Sequence, residues 1–292
     1  MLEYINWNPI TKFSFWEGVF SIHIYSLMFV FSFITGWYVM TYIYRIDHVN
    51  QKYLDPLLVY TVLGTFIGAR LGQVFFYDFL YFSDNHWIEA FFPIVENPKK
   101  SFLLGMIKGY EFVGYRGLSS HGATIGISLS SFLYSRKILK RNFFWLCDRL
   151  CIISALSSVF IRIGNFFNSE IVGTPSNLPW AVKFVQMDTE YGEIIPRHPT
   201  QIYESISYLF IFLFLWFFYR KRNTKKPTGY ISGVFFIFLW GARFLLEFLK
   251  EPQGDEMIHL LFMNTGQCLS IPYIIFGVFI LFFSQKKKSF FS

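Results

Sequence analysis

Long runs of apolar residues constrain this chain more than any other feature of its sequence. A helix of about 20 apolar residues crosses the hydrocarbon core of a bilayer, and several runs among the 292 residues reach that length. A run of this length is far too long for a membrane β-strand, so each one is expected to be a helix. The sequence therefore predicts an all-α polytopic membrane protein.

Seven transmembrane helices are predicted, within a single integral membrane domain that covers residues 1–292. The predicted spans are about 19–44, 57–79, 121–133, 143–166, 202–219, 230–249 and 268–283. The third span is weak, because it is short and rich in Gly, Ala and Ser. The first span is too long for the apolar part of a signal peptide and lacks a basic segment before it, so we expect it to remain in the membrane.

The composition agrees with this class of protein. The chain is 53% hydrophobic and 22% aromatic, and only 15% of its residues are charged, whereas soluble proteins carry about 25% charged residues. The net charge is +7, but the basic residues form short clusters between apolar runs. This distribution is typical of membrane topology and not of a surface that follows a phosphate backbone, so we expect no nucleic-acid partner.

The basic clusters also predict the orientation. They follow spans one, three, five and seven, at residues 45–52, 136–141, 220–226 and 286–288. Basic loops stay in the cytoplasm, so the N-terminus is expected outside and the C-terminus in the cytoplasm. The loops 80–120 and 167–199 then face outward, and their aromatic content favours ordered structure at the outer interface.

Charged and polar side chains occur where the bilayer makes them costly, at about 2.5–3.5 kcal/mol for a charge in the middle of a span. Arg243 and Glu247 lie in span six, and Tyr203 opens span five. The outward half of the bundle gathers a larger polar set, which comprises Arg70, His121, Arg162, Asn165, Glu170 and Glu204. So many polar groups at one level of a bundle favour a functional site.

Each of these residues also has a simpler interpretation. Arg243 and Glu247 are four residues apart and can form an ion pair within one helix. His121 can cap a helix, and Arg70 can extend its side chain towards the interface. Asp148 and Arg149, near the predicted cytoplasmic end of span four, are interpreted as interfacial anchors.

The residue types indicate a chemistry for the site. Arginine forks suit phosphate, a histidine near neutral pKa can move a proton, and phosphate within a membrane belongs mostly to lipid headgroups. The three cysteines show no metal-ligand spacing, so neither a metal nor another cofactor is expected, and a reacting thiol would come from a substrate. The alternatives are a transporter or channel lined by these charges, or a lipid-binding protein without catalysis.

Several motifs resemble those of one enzyme family. RIGNFFNSEIVG, at residues 162–173, resembles the signature of the prolipoprotein diacylglyceryl transferases. Further segments occur in the same order as in that family: HIYSLMF, GARLGQVFFYD, SSHGATIG, RHPTQIYE, GARFLLEFLKEP and GQCLSIP. The resemblance extends from about residue 25 to about residue 272. One departure is Leu239, where many members have a tyrosine, with Trp240 beside it.

The resemblance implies an activity and a location. The family, found in the bacterial inner membrane, transfers the diacylglyceryl group of phosphatidylglycerol to the lipobox cysteine thiol of a preprolipoprotein. A thioether forms and glycerol 1-phosphate leaves, which is the first step of lipoprotein maturation. Phosphatidylglycerol, other membrane lipid and the preprolipoprotein signal peptide are therefore the expected partners.

The resemblance also implies site residues. Catalytic roles fall on His121, Arg162 and Arg243. Substrate-binding roles fall on a larger set, some at motif positions whose role is less defined: Tyr25, Arg70, Asn165, Glu170, Gly173, Gln201, Tyr203, Glu204 and Glu247. His121 is expected to be the base for the thiol. In the alternative, an arginine lowers the pKa of the thiol while His121 only binds the headgroup.

Overall fold

A computed structural model of the chain describes residues 4–15, 20–76, 79–83, 87–92, 94–102, 107–112, 119–187, 194–221, 227–251 and 263–289. The chain forms two compact units. Unit 1 contains residues 1–47 and 144–292, and unit 2 contains residues 48–143. Each unit is described by itself.

The structure is mostly helical, with short strands between the long helices. In chain order the elements are β1 (Ile5–Trp7), β2 (Lys12–Phe15), β3 (Phe20–His23), α1 (Ile24–Ile46), α2 (Leu54–Phe76), α3 (Phe79–Ser83), α4 (Trp87–Phe91), β4 (Ile94–Phe102), β5 (Ile107–Phe112), α5 (Ser120–Tyr134), α6 (Phe143–Phe167), β6 (Val182–Phe184), β7 (Pro196–Arg197), α7 (Thr200–Arg220), α8 (Tyr230–Leu246) and α9 (Thr265–Ser289).

Six helices in the described part of the chain are long and apolar enough to cross a membrane. They cover Ile24–Ile46, Gln51–Phe75, Phe143–Phe167, Thr200–Arg220, Tyr230–Leu249 and Thr265–Ser284. These helices confirm a multi-pass membrane protein and match six of the predicted spans. The weak third span corresponds to α5, which has 15 residues and continues as a π-helical turn through Leu139.

In unit 1 the chain near the N-terminus joins a small sheet. Strand β1 pairs in parallel with β6, which pairs in an antiparallel direction with β7. The side chains of Val172, Val182 and Phe184 form a buried cluster against which Trp7 packs. The indole nitrogen of Trp7 also donates to the Phe166 carbonyl at 2.9 Å. Residues far apart in sequence thus fix the end of α6, which leads into the RIGNFFNSEIVG segment.

The first half of α6 carries two charged residues that are buried and not interfacial, contrary to their interpretation as anchors. Asp148 is 3% exposed and Arg149 is 1% exposed. The Asp148 carboxylate accepts from the backbone amides of Gly229 and Ser232 at 2.8 and 2.9 Å, so it satisfies donors at the start of α8. Arg149 pairs with Asp47 at 2.6 Å and lies 3.9 Å from the centre of the Trp145 ring. These partners stabilise the two charges away from solvent.

In unit 2, helices α2 and α5 pack so closely that several of their contact positions have no room for a Cβ atom. A Cβ at Gly68 would collide with the carbonyl oxygen of Gly122 and lie 2.7 Å from the Gly126 backbone. Close approach over small residues is how membrane helices associate without a hydrophobic driving force. The helix α5 begins at an N-cap, Ser119, whose hydroxyl accepts from the amide of Gly122 at 3.2 Å.

The segment after α2 carries secondary structure of its own. It contains the short helices α3 and α4 and an antiparallel hairpin of β4 and β5, with an irregularity in register between Glu96 and Ser101. This segment lies within the loop 80–120 for which the aromatic content predicted order. Part of that loop, and residues 188–193 of the second predicted loop, lie outside the described residues.

Candidate functional site

A buried ion pair joins two of the motifs in unit 1. Arg162, near the end of α6, is 8% exposed, and Glu204, in the first turns of α7, is fully buried. Their Nε and Oε2 atoms are 2.9 Å apart. Arg162 also donates through Nη1 to Oδ1 of Asn165 at 3.1 Å. Because the guanidinium is paired with a carboxylate and donates to a side-chain amide oxygen, it is held in a defined orientation.

Lys250 extends this pair into a network, and sequence reasoning missed it. Its ammonium lies 3.0 Å from Glu204 and 3.0 Å from Glu247. The side chain is only 4% exposed. The sequence does contain one signal that indicates this contact, because Lys250 lies three residues after Glu247. Among the described residues Glu247 therefore pairs with Lys250, and the alternative of a simple pair between Arg243 and Glu247 is wrong.

Arg243 has a different environment from Arg162. Its guanidinium carbon lies 5.4 Å from the centre of the Trp240 ring, and it is close enough to Glu204 for electrostatic interaction. Its Nε is buried and has no hydrogen-bond partner among the residues that the structure describes. A buried donor without a partner is costly, so this arginine is suited to receive an anionic ligand.

The turn that follows α6 places Glu170. Ser169 and Ile171 have φ values of 55° and 58°, and this left-handed conformation is strained for a β-branched residue such as isoleucine. Within the turn, the side-chain amide of Asn165 donates to the Glu170 carboxylate at 2.7 Å. The side-chain amide of Gln201 donates to the backbone carbonyl of Glu170 at 2.7 Å. The start of α7 thus holds a backbone that would otherwise relax, and such strain clusters at functional sites.

Tyr25 lies against the same segment. A Cβ added at Gly164 would lie 2.8 Å from the Tyr25 ring, so this glycine provides the space that the ring occupies. The Tyr25 ring is thus packed against the part of α6 that carries Arg162 and Asn165. The structure therefore brings three predicted site residues of α1 and α6 together: Tyr25, Arg162 and Asn165.

Gly173 lies where three backbone segments cross. Its amide donates to the His198 carbonyl at 3.0 Å, and it forms an isolated β-bridge with Lys250. A Cβ would lie 2.5 Å from the His198 carbonyl oxygen and 2.8 Å from that of Leu249. The predicted glycine is therefore required by packing of the backbone next to the network.

Tyr203, at the start of α7, belongs to a second hydrogen-bonded group. Its hydroxyl accepts from the Trp180 indole at 2.7 Å and lies 3.3 Å from Nδ1 of His198. Trp180 is 53% exposed. The tyrosine is thus closer to the surface than Glu204, the next residue along the chain.

Two predicted site residues belong to unit 2. Arg70 donates from Nε to the Ala90 carbonyl at 2.9 Å and from Nη2 to the Glu89 carbonyl, so it ties α4 to α2. The Tyr81 hydroxyl donates to the Glu89 carboxylate at 2.6 Å, and this bond raises the pKa of Tyr81 to about 12. His121 is the second residue of α5, and its side chain lies outside the described part of the structure.

The arrangement favours a phosphate-like ligand. Arg162 and Lys250 are paired with Glu204 and Glu247, whereas Arg243 forms no ion pair among the described residues, so its guanidinium is available to an anionic ligand. No group of three or more His, Cys, Asp or Glu side chains that could hold a metal ion occurs in the part of the chain that the structure describes. The fold and the site together define a polytopic membrane protein with a polar centre in which arginine and lysine side chains are gathered.

Comparison with known proteins specifies the family. The family model described as prolipoprotein diacylglyceryl transferase matches residues 12–283. Proteins named phosphatidylglycerol–prolipoprotein diacylglyceryl transferase share much of the sequence. The one from Bacteroides fragilis is 37% identical over 289 residues, which are 99% of this chain and 98% of the relative. The one from Tolumonas auensis is 35% identical over 272 residues, 93% of this chain and 95% of the relative. This chain belongs to the prolipoprotein diacylglyceryl transferase family.

Proposed function

We propose that this chain transfers the diacylglyceryl group of phosphatidylglycerol to the cysteine thiol of a prolipoprotein, the first step of bacterial lipoprotein maturation. Membership of the family across residues 12–283 is the observation that carries this proposal. The acceptor is the lipobox cysteine of the signal peptide, and a thioether and glycerol 1-phosphate are the products. Arg162 and Arg243 support the proposal, because guanidinium groups suit a phosphodiester headgroup.

We further propose the bacterial inner membrane as the location, with seven spans and one integral membrane domain, residues 1–292. The helix α5 would be the seventh span. Its 15 residues and the five of the π-helical turn, Ser135–Leu139, make about 30 Å of helix at 1.5 Å per residue. Basic clusters in alternate loops place the N-terminus outside and the C-terminus in the cytoplasm.

The proposed reaction is a nucleophilic displacement at C3 of the glycerol that carries the two acyl chains of phosphatidylglycerol. The thiolate sulfur forms a bond to this carbon, and the carbon–oxygen bond to phosphate breaks. Free cysteine has a pKa of about 8.5, so a base or a positive field must increase its thiolate fraction. His121 would take the proton of the thiol, a role worth about 10²–10⁴-fold in rate.

The two arginines would stabilise the departing phosphate. Arg162 is held by Glu204 and Asn165 and so presents its remaining donors in a fixed direction. Arg243 has a buried Nε with no partner among the described residues. Loss of one such electrostatic donor typically costs about 2.7–4 kcal/mol of transition-state stabilisation.

The other predicted residues would bind or hold the substrate indirectly. Asn165 links Arg162 to Glu170 by hydrogen bonds, and the Tyr25 ring packs beside them at Gly164. Roles in holding this group or neighbouring segments are proposed for the remaining residues of the predicted set: Arg70, Gly173, Gln201, Tyr203, Glu204 and Glu247.

A single assay tests the proposed activity. The purified protein in detergent is incubated with labelled phosphatidylglycerol and a peptide that contains a lipobox cysteine. We expect the peptide to gain the mass of the diacylglyceryl group, and we expect a peptide with Ser in place of the cysteine to gain nothing. Solute flux in proteoliposomes without any covalent product would instead identify a transporter, and lipid binding alone would identify a non-catalytic member.

The role of His121 is tested by its replacement with glutamine, which keeps a polar side chain but removes the titrating group. If His121 is the base, His121→Gln lowers the rate about 10²–10⁴-fold. The residual rate then rises with pH, because the thiol must ionise by itself. A variant with near-normal transfer and an unchanged pH profile would exclude the base and leave headgroup binding as the role of His121.

A further inference from the structure

An aromatic stack lies beside Arg243 at the contact between α8 and α9. The rings of Trp240 and Tyr273 have centroids 4.0 Å apart and planes inclined by only 7°. Tyr273 is also parallel to Phe236, one turn earlier on α8, with an angle of 5° and a centroid distance of 6.3 Å. Since an aromatic side chain has only two χ angles and this one is stacked over a neighbour, the position of the Trp240 ring is well defined.

The ring of Trp240 contacts the guanidinium of Arg243. The distance of 5.4 Å from the guanidinium carbon to the ring centroid is within the range of about 6 Å at which a cation is attracted by an aromatic face. The spacing of three residues places both side chains on the same side of α8. Glu247, the carboxylate one turn further on, is bound by Lys250 and not by Arg243.

A contact of this kind has a specific advantage for a phosphate-binding arginine. A carboxylate partner partly offsets the charge of a guanidinium, as Glu204 does at 2.9 Å from Arg162. The aromatic face attracts the cation without accepting a conventional hydrogen bond from its in-plane donors. The charge and the donors of Arg243 thus remain available, in agreement with the buried Nε that has no partner among the described residues.

We propose that Trp240, held in place by Tyr273, is a positioning residue that orients Arg243 towards the phosphate of the lipid substrate. The inference rests on the proposed function, because it takes the ligand of Arg243 to be phosphatidylglycerol. The other interpretation of the stack is that it only packs α8 against α9. If Trp240 positions Arg243, loss of the Trp240 ring weakens phosphatidylglycerol binding only when Arg243 is present. If the stack only packs the helices, the effect does not depend on Arg243.

The first experiment compares Trp240→Leu, which removes the ring, with Trp240→Phe, which keeps a smaller one. We expect Trp240→Leu to lower kcat/KM for phosphatidylglycerol by about 3- to 30-fold, to leave the KM for the peptide unchanged, and to be partly rescued in Trp240→Phe. The matched control is Phe276→Leu, which removes a ring packed against Phe236 at 5.2 Å across the same pair of helices. Equal losses in Trp240→Leu and Phe276→Leu would overturn the inference.

The second experiment measures binding and needs no turnover. The dissociation constant of dioleoyl phosphatidylglycerol is measured in dodecyl maltoside for the wild type, Trp240→Leu, Arg243→Gln and the double variant. We expect Trp240→Leu to weaken binding about 3- to 30-fold when Arg243 is present and to have no further effect in Arg243→Gln. Equal weakening in both backgrounds would show that Trp240 acts independently of Arg243, and the inference would be wrong.

The binding data also separate this inference from the proposed activity. A wild-type protein that binds phosphatidylglycerol but transfers nothing to the peptide would disprove the activity. Coupling between Trp240 and Arg243 would still support the positioning role in that case. A wild-type protein that transfers the group while the two substitutions act additively would disprove only the positioning role. A wild-type protein that binds no phosphatidylglycerol would overturn both.

Discussion

At the scale of single residues, the site depends on charges that stabilise one another in a buried setting. Glu204 is fully buried and is contacted by Arg162, Lys250 and the hydroxyl of Tyr208. A carboxylate without partners at this depth would be very costly, and removal of one member of a buried pair commonly costs about 3–5 kcal/mol. The network is therefore expected to support stability as well as the orientation of Arg162.

Replacement of Lys250 tests this expectation. Lys250→Met has a similar volume but leaves Glu204 and Glu247 without their shared cation, so we expect the free energy of unfolding to fall by about 3 kcal/mol. The midpoint of thermal unfolding in detergent measures the change. Lys250→Arg should retain most of the stability, and Lys108→Met, at an exposed lysine, is the control for loss of one charge. Equal midpoints for Lys250→Met and Lys108→Met would contradict the network's role.

Gly173 offers a second test at this scale. In Gly173→Ala the new Cβ would lie 2.5 Å from the His198 carbonyl oxygen, and backbone cannot move aside as a flexible side chain can. We expect a loss of about 1–3 kcal/mol from overpacking, seen as a lower unfolding midpoint. Gly241→Ala is the matched control, since nothing lies within 4 Å of its Cβ position. If both alanine variants unfold at the same temperature, the crossing of segments at Gly173 is not tight.

At the scale of elements, a local sequence signal explains how α9 begins. The helix α9 starts with a reciprocal capping arrangement that the hydropathy pattern did not reveal. The Asn264 side chain accepts from the amide of Gln267 at 2.9 Å, and the Gln267 side chain accepts from the amide of Asn264 at 3.1 Å. This is a capping box, with Asn in the N-cap position and Gln three residues later. The first turn so fixed places Gly266 against the Glu247 carboxylate.

Asn264→Ala should loosen this first turn. The substitution leaves the Gln267 amide without its acceptor, and loss of an N-cap costs about 0.5–2 kcal/mol. We expect faster hydrogen exchange at the amides of Gln267 and Cys268, measured by mass spectrometry in detergent. Asn264→Ser keeps a side-chain acceptor and should exchange at nearly the wild-type rate. Unchanged exchange in Asn264→Ala would show that tertiary contacts alone hold the turn.

The close packing of α2 against α5 depends on a spacing of glycines that is visible in the sequence. The sequence does not show which helix packs against these glycines. Gly64, Gly68 and Gly72 repeat every fourth residue and so form one stripe on α2. The structure shows that the stripe faces Gly122 and Gly126 of α5. A stripe predicts that some backbone approaches closely, but which helix approaches is decided by the fold.

At the scale of the whole molecule, the topology depends on how many helices cross the membrane. The described residues contain six helices that meet the length and hydropathy of a span, and α5 is the proposed seventh. If α5 crosses, the residues before and after it lie on opposite sides of the membrane. If it does not cross, they lie on the same side.

Single cysteines introduced on either side of α5 distinguish these outcomes. Lys100→Cys in β4 and Lys137→Cys in the π-helical turn are made in a background whose native cysteines are replaced by serine. In intact cells, we expect a membrane-impermeant maleimide to label Lys100→Cys and to spare Lys137→Cys until the cells are permeabilised. Asn177→Cys, in the predicted outward loop, is the positive control. Labelling of both test positions in intact cells would exclude the seventh span and the proposed orientation.

Whether a contact of the site can be predicted from the sequence depends on how far apart its residues lie in the chain. Arg162, Asn165 and Glu170 lie within nine residues of one another, so a motif was enough to predict that they act together. Lys250 was not predicted, because its partner Glu204 is 46 residues away and the pair exists only once α7 and the end of α8 meet. Asp148 and Arg149 were assigned to the interface for the same reason: their partners Gly229, Ser232 and Asp47 are distant in sequence.

By itself, the sequence determined that the chain enters the membrane as helices, because the length and hydropathy of an apolar run are local properties and the bilayer imposes a helical backbone. The sequence predicts seven spans, and six of them correspond to helices of the described residues that are long and apolar enough to cross a membrane. Only the tertiary structure decided which charges share the buried network, since an ion pair requires two side chains within about 4 Å. Helix packing, which brings Arg162, Glu204 and Lys250 together, sets that distance.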